Sequence, residues 1–374
     1  VPEHTQIDDV DLQDHRTTVP IPHNMPCLDE SDSQAVYDTV LSGWVAYGEK
    51  SQELERRMSR LILGTDDGCV VCSSGTSALY LALYALGVGN GDEIILPSYM
   101  CTAGLNAVMM IGAEPVIADI NKDNLSFTTD EVRRYVTGRT KAIIVVHTYG
   151  IPCELGSIRQ QGIPIIEDCC QAFGSSFADG QPVGSKGDLA TFSFYATKFV
   201  TGGYGGAVVA KKREDVEILR DYIDFDCPKQ YKPRFNFQLS DIQAALVLSQ
   251  LDRLDWFLER RKQIGERYCE VINHDDRLRY AFRNDAFNYF RFLVNFPSED
   301  ELSRCKRYLT DAGISSIVPL ENYELLHNYL GLDRSLYPVA EEVSRIILSL
   351  PIYPCLSDQD VEYIEKALAK WDFR

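Results

Sequence analysis

No apolar run in this sequence is long enough to cross a bilayer: stretches such as AIIVV (142–146) and DEIILP (92–97) fall far short of the roughly 20 residues a membrane helix needs. Histidine is scarce, at six. The Cys69-x-x-Cys72 pair has no second pair or histidine cluster at zinc-ligand spacing, so no metal site is expected. Eleven cysteines make an odd number, and most lie inside apolar runs, as do Cys169 and Cys170; they read as reduced, buried thiols. Positive charge is short as well. With 37 basic against 55 acidic side chains the net charge is −18, a field that repels polyanions and excludes nucleic acid as a partner. A phosphate-bearing small molecule would need local cations or helix N-termini to overcome it. No internal repeat or low-complexity segment is present, and VPEHTQIDDVDLQDHRTTVP (1–20) contains neither a secretory apolar region nor an Arg-rich transit peptide, so cytoplasmic residence is the expectation.

What the chain does have is 374 residues, 45% of them apolar, enough for two or three domains with a full core. From 69 to 168, short apolar runs alternate with helical patterns, the signature of βαβ units and a mostly parallel sheet. The strands read as CVVC (69–72), DEIILP (92–97), EPVIADI (114–120), KAIIVVH (141–147) and IPIIED (163–168), with Gly87, Gly112 and Gly162 stopping the helices between them. DLATFSFY (188–195) and GGAVVAKK (205–212) read as two further strands close enough to pair. At Ser240, SDIQ resembles a capping box, and helical spacing persists to Ile272, which predicts one helix about 50 Å long linking two domains. Beyond it, NYFRFLVNF (288–296), SEDELSRCKRYLTDAG (298–313) and SDQDVEYIEKALAKW (357–371) predict a smaller α+β unit.

Three motifs fall where a parallel sheet presents ligands, outside the carboxyl ends of strands. In SSGTSAL (73–79) a strand runs into a small-residue turn and a helix, so the amides of Gly75 and Thr76 can hold an anion, although such a turn more often only caps its helix. In IIEDCCQAFG (165–174) four apolar residues lead into Glu167 and Asp168; Asp168 is either an N-cap or a carboxylate held ionised against a cationic ring nitrogen, with Gln171 one turn on. In FSFYATK (192–198) Ser193 precedes Lys198 by five residues. A lone lysine after a strand is ordinarily a surface residue, and its ammonium, with a free pKa of about 10.4, is costly to bury. A Schiff base with a cofactor aldehyde would give that burial a purpose, and the released amine could shuttle a proton between adjacent carbons.

SSGTSALYLAL, IIEDCCQAFGSSFADGQPVGSKGDLATFSFYATK and FNFQLSDIQAALVLSQLDRL together resemble the DegT/StrS-type sugar aminotransferases, fold-type I enzymes dependent on pyridoxal 5'-phosphate (PLP). The resemblance leaves out only about the first nineteen residues, and implies an N-terminal extension (1–19), a large PLP-binding α/β domain (20–255) whose mostly parallel mixed sheet is flanked by helices, and a smaller C-terminal α+β domain (256–374). It implies that Lys198 forms the Schiff base, that Asp168 pairs with the pyridine nitrogen, that Gln171 lies near the phenolic oxygen, and that Ser193, Gly75 and Thr76 bind the phosphate. Asn236 matches an asparagine that reaches the phosphate from a neighbouring subunit, hence a homodimer with shared active sites. The implied reaction moves an amino group from L-glutamate or L-glutamine to a nucleotide-linked keto sugar through the PLP and pyridoxamine phosphate (PMP) forms. Two positions depart from the pattern: Cys101 stands where an aromatic residue usually stacks on the ring, with Tyr99 a possible substitute, and Tyr204 stands where glutamate is common. Other readings are a PMP-dependent dehydratase, against which Lys198 argues because a histidine typically replaces it, and a PLP-binding regulatory subunit without turnover. An oxidoreductase with a dinucleotide loop at GGYGG lacks the G-x-G-x-x-G spacing.

Overall fold

The computed structural model describes residues 20–226, 231–273, 277–278, 287–371 and 373. Seven strands form the main sheet: β1 (Cys69–Cys72), β2 (Glu93–Pro97), β3 (Glu114–Ala118), β4 (Thr140–Val146), β5 (Ile165–Asp168), β6 (Leu189–Ser193) and β7 (Gly206–Ala210). Their spatial order is β1-β7-β6-β5-β4-β2-β3. Only β7 runs against the rest, pairing antiparallel with both β1 and β6. All four residues of β1 and of β5 are buried, and all five of β2 and of β7, because helices cover both faces and leave no solvated side to alternate toward. The apolar runs seen in the sequence are these strands.

Because β7 alone is reversed, β1, β2, β4, β5 and β6 all end at the same edge of the sheet. The turns that follow them, at Ser73, Ser98, His147, Cys169 and Phe194, therefore gather around one cleft. A second sheet of two antiparallel strands, β8 (Phe292–Asn295) and β9 (Ile347–Leu350), belongs to the smaller unit. Two helices, Glu30–Ser42 and Glu49–Leu63, precede β1. Gly48 opens the second of these and has no side chain to cap with. Asp241 does so from another helix: its buried carboxylate accepts the amides of Gly48, Lys50 and Ser51.

The single long helix expected from Ser240 to Ile272 is two helices, Asp241–Leu251 and Leu254–Ile272. The capping box forms as read, with Ser240 and Gln243 bonded reciprocally. The break at Asp252 and Arg253 has a long-range cause. Arg253 is drawn into ion pairs with Asp29 and Asp32, and Asp252 pairs with Arg57. Those partners lie about two hundred residues away in sequence, so helical periodicity carries no trace of them. Among the described residues no helix is long and apolar enough to cross a membrane.

Candidate active site

The turn after β1 supplies an anion cradle. Ser74 caps the helix Gly75–Ala85 by accepting the amide of Ser77 at 3.0 Å, while the Ser77 hydroxyl accepts the amide of Ser74. The capping reading of SSGTSAL is thus realised by Ser74 and Ser77. It leaves the first two amides of the helix, those of Gly75 and Thr76, without an acceptor among the described residues. A Cβ at Gly75 would come within 2.9 Å of the Ser193 Cβ and 3.1 Å of its Oγ, so only glycine lets this helix end approach the end of β6. Two open amides and the Ser193 hydroxyl come together here, with Thr76 supplying a hydroxyl from the same first turn, a donor set that fits a phosphate dianion.

Glu167 and Asp168 end β5 on opposite faces of the sheet, as strand alternation requires. Glu167 is sealed in the interior, where its carboxylate accepts His147 Nε2 at 2.8 Å and the amides of Gly184 at 2.9 Å, Lys186 at 2.8 Å and Gly187. Burial alone would raise its pKa, but the hydrogen bonds from His147 and these amides hold it below the usual carboxylate range. His147 Nδ1 accepts the Cys153 amide at 3.0 Å, which places the ring proton on Nε2, directed at Glu167. The cluster of His147, Glu167 and Cys169 is knit by these bonds into a structural plug beneath the cleft. Glu167→Ala is expected to cost about 3 to 5 kcal/mol in folding free energy by stranding buried donors. Denaturant unfolding checks this, and a loss below about 1 kcal/mol would contradict it.

Asp168 faces the cleft side. Its Oδ1 accepts the Cys170 amide at 3.0 Å, so it shapes the turn as well as presenting charge. Lys198 lies in the turn after β6, its amide bonded to the Tyr195 carbonyl at 2.8 Å and its Nζ 5.4 Å from the Phe290 ring centroid. Two thiols show that Asp168 and Lys198 share one space. At Cys101 and at Cys170, burial raises the thiol pKa, the Asp168 carboxylate raises it further, and Lys198 lowers it. Cys101 is open to solvent although protein surrounds it, the mark of a residue inside a cleft, and departs in this from the buried thiols expected.

Gln171 turns its Oε1 to the amide of Tyr149, at 2.9 Å, which leaves its NH2 as the group available to a ligand. Tyr149 holds a left-handed backbone, φ 55°, costly for an aromatic residue and maintained by its neighbours. Gly150 follows at φ 94°, and a Cβ there would collide with Asn288. Asn288 staples the small unit to this loop, donating to the carbonyls of Gln171 at 3.2 Å and Phe173 at 2.9 Å. Tyr99, the suggested stacking substitute, is only 1% exposed and receives the Tyr149 hydroxyl at 3.2 Å, so its ring is core and does not present a face to the cleft. Asn236 is exposed, its Oδ1 taken by the Gln238 amide at 3.1 Å. The neighbouring Phe237 carbonyl accepts the Ser73 amide at 2.8 Å, which sets Asn236 near the cradle.

In sequence Lys229, Lys232 and Arg234 form a small basic cluster that could meet a nucleotide diphosphate or be a solvated face; Lys229 lies outside the described residues, and Lys232 and Arg234 both pair with Asp221. Asp221 in turn lines a cavity of about 620 Å³ with Tyr47, Glu55 and Arg220, a lining that includes neither Lys198 nor Asp168. Sequence reading did not single out Tyr149, Asn288, Phe290 or Arg291. The one signal available was an arginine inside the aromatic run NYFRF (288–292).

The sequence pattern of the DegT/DnrJ/EryC1/StrS aminotransferase family matches residues 26–369. GDP-perosamine synthase of Escherichia coli O157:H7 is 29% identical over 360 residues, 92% of this chain and 96% of that protein. The aminotransferase TlmJ of Streptoalloteichus hindustanus has a TM-score of 0.85 at 30% identity, covering 94% of this chain and 98% of its own. Spr1654 of Streptococcus pneumoniae in its PMP form also reaches 0.85 at 30% identity, covering 93% and 98%.

Proposed function

Since the chain belongs to the DegT/DnrJ/EryC1/StrS aminotransferase family and is a PLP-dependent aminotransferase, we propose that it moves an amino group from L-glutamate or L-glutamine to a nucleotide-linked keto sugar. The observation that carries this reading is the pairing of an open two-amide cradle at Gly75 and Thr76 with Lys198 and Asp168 across one cleft. PLP, when bound, supplies the electron sink that lets an amino group leave one carbon and join another. Gly75, Thr76 and Ser193 would hold its phosphate, and Asp168, 5% exposed, would set a carboxylate against its ring nitrogen. Gln171 steadies the phenolic edge through its NH2. The Lys198 amine would act as the base that takes a proton from the donor α-carbon and gives it up again within the same cleft.

The sugar reading is supported by the GDP-perosamine synthase relative, whose name places a GDP-linked sugar in its reaction. A homodimer with shared sites is supported by exposed rings on either side of Lys198 in sequence, Tyr195 (45%) and Tyr204 (63%), which pack edge to face at 5.5 Å and offer aromatic surface suited to a partner. With L-glutamate, the visible band of the PLP enzyme is expected to give way to that of the PMP form. A panel of 3-keto and 4-keto sugar nucleotides is then expected to contain at least one member that restores it. If glutamate and glutamine both leave the band unchanged, or if no keto sugar nucleotide reverses it, the proposed reaction is wrong.

A further inference from the structure

Arg291 is a cation without an anion. Its Nη1 meets His23 Nε2 at 3.4 Å, its guanidinium carbon lies 5.6 Å from the Tyr149 centroid and 5.7 Å from the Phe290 centroid, and its Nε is wholly enclosed with no hydrogen-bond partner. No carboxylate pairs with it among the described residues. His23 offers a lone pair and no countercharge: its Nε2 is shared with the Ser349 hydroxyl at 2.9 Å, and burial, with help from Arg291 and Arg261, pushes its pKa down to about 3. In a protein carrying eighteen excess negative charges, an arginine left in this condition inside the molecule is unusual, because burying an unpaired guanidinium costs free energy that a structural ion pair would offset.

Its placement relates it to the cleft. The Phe290 ring that Arg291 leans on is the ring beneath Lys198 Nζ. The Tyr149 ring on its other side belongs to the residue whose amide holds Gln171. Arg291 therefore stands on the Gln171 side of the cleft, whereas the amides of Gly75 and Thr76 lie at the Ser193 end. The backbone that carries it is fixed from behind. Arg261, buried, donates from one Nη1 to the carbonyls of Tyr289, Phe290 and Ile352 at 3.1, 3.2 and 2.9 Å, and Asn288 ties the same segment to the Gln171 loop. A forked cation that shares the Phe290 ring with the reacting amine, with aromatic walls and no carboxylate partner among the described residues, matches a planar carboxylate.

We infer that Arg291 binds the α-carboxylate of the amino donor, the anionic group common to L-glutamate and L-glutamine and one bond from the carbon that gives up its proton. This rests on the aminotransferase reading above and names the residue that selects an amino acid as donor. Phosphate binding by Arg291 is disfavoured because the cradle for that group lies at the other end of the cleft.

The test uses PLP-loaded full-length enzyme and the variants Arg291→Lys and Arg291→Leu. Glutarate, a dicarboxylate with no amine, serves as a binding probe followed by the shift of the cofactor absorbance. Arg291→Leu is expected to weaken glutarate binding and raise the KM for L-glutamate by about 100-fold, with the KM for the keto sugar nucleotide changed less than about threefold. Arg291→Lys is expected to recover part of the loss, since it keeps charge without the fork. Cofactor retention and melting temperature report whether the leucine variant is folded; if it is not, the lysine variant and the glutarate titration decide. Glutarate affinity and donor KM within about threefold of the parent, or equal losses for donor and sugar, would overturn the inference. Should the parent enzyme aminate no sugar nucleotide, the proposed acceptor fails while glutarate binding still judges Arg291.

Discussion

Lys198→Ala is expected to abolish turnover, with a loss of at least about 10⁴-fold in kcat, because in the proposed reaction one amine serves as both covalent anchor and proton carrier. Its fold should survive. The side chain makes no ion pair among the described residues and sets its Nζ over the Phe290 ring, so the melting temperature is expected to stay within a few degrees of the parent. Borohydride reduction followed by peptide mass spectrometry should mark Lys198 with a pyridoxyl group in the parent and mark nothing at that peptide in the variant. The same variant tests shared sites. Mixed with Asn236→Ala under conditions that exchange subunits, it should regain activity if each cleft draws Asn236 from the partner chain, and should stay silent if both residues act within one chain. A Lys198→Ala enzyme that keeps a tenth of its turnover would remove the basis of the proposed chemistry.

Asp168→Ala is expected to lower kcat by about 10² to 10³-fold while leaving the phosphate cradle able to hold cofactor. The estimate follows from the few kcal/mol that a desolvated charge partner is worth, at about 1.4 kcal/mol per tenfold. The effect should fall on kcat more than on KM, since a ring nitrogen that loses its proton weakens the electron sink after the donor has bound. Asp168→Asn separates charge from turn geometry: it keeps an oxygen for the Cys170 amide and loses only the negative charge. Equal damage from both substitutions supports the electrostatic role. A mild asparagine variant beside a severe alanine variant would instead mean that the Cys170 turn is what matters. Circular dichroism and cofactor absorbance, taken beside the steady-state rates, complete the measurement.

The sequence-level reading and the structure agree where local physics suffices. Strands β1 to β7 were legible because each is a short apolar run punctuated by glycine or a cap, and in β1, β2, β5 and β7 burial on both faces leaves a continuous signal. Order along the chain also placed Ser193, Asp168 and Gly75 at or near the carboxyl ends of strands, which a parallel sheet turns into one edge. What local pattern could not supply was anything decided by a distant partner. The break at Arg253 depends on Asp29 and Asp32; the need for glycine at 150 depends on Asn288; the pairing state of Arg291 depends on His23, 268 positions away. Glu167 and Asp168 show the limit most plainly. Adjacent in sequence and alike in chemistry, they differ in role only because strand alternation sends one to His147 and the other to the cleft. Tyr99 was misjudged for the same reason, since nothing in PSYMC tells which of its side chains the core takes.

The segment ahead of the helix Glu30–Ser42 behaves as a strap. Ile21 forms a bridge with Ile314, His23 reaches Ser349 and Arg291, the Pro26 carbonyl contacts the Cys355 sulfur at 3.8 Å, and the Cys27 carbonyl takes the Gln250 amide at 3.0 Å. The family pattern begins only at residue 26, so a protein trimmed to that boundary would lose Ile21 and His23 together. Such a shortened enzyme would keep every residue of the cradle and still handle its amino donor poorly, because the arginine that meets the donor would have lost the neighbour that steadies it.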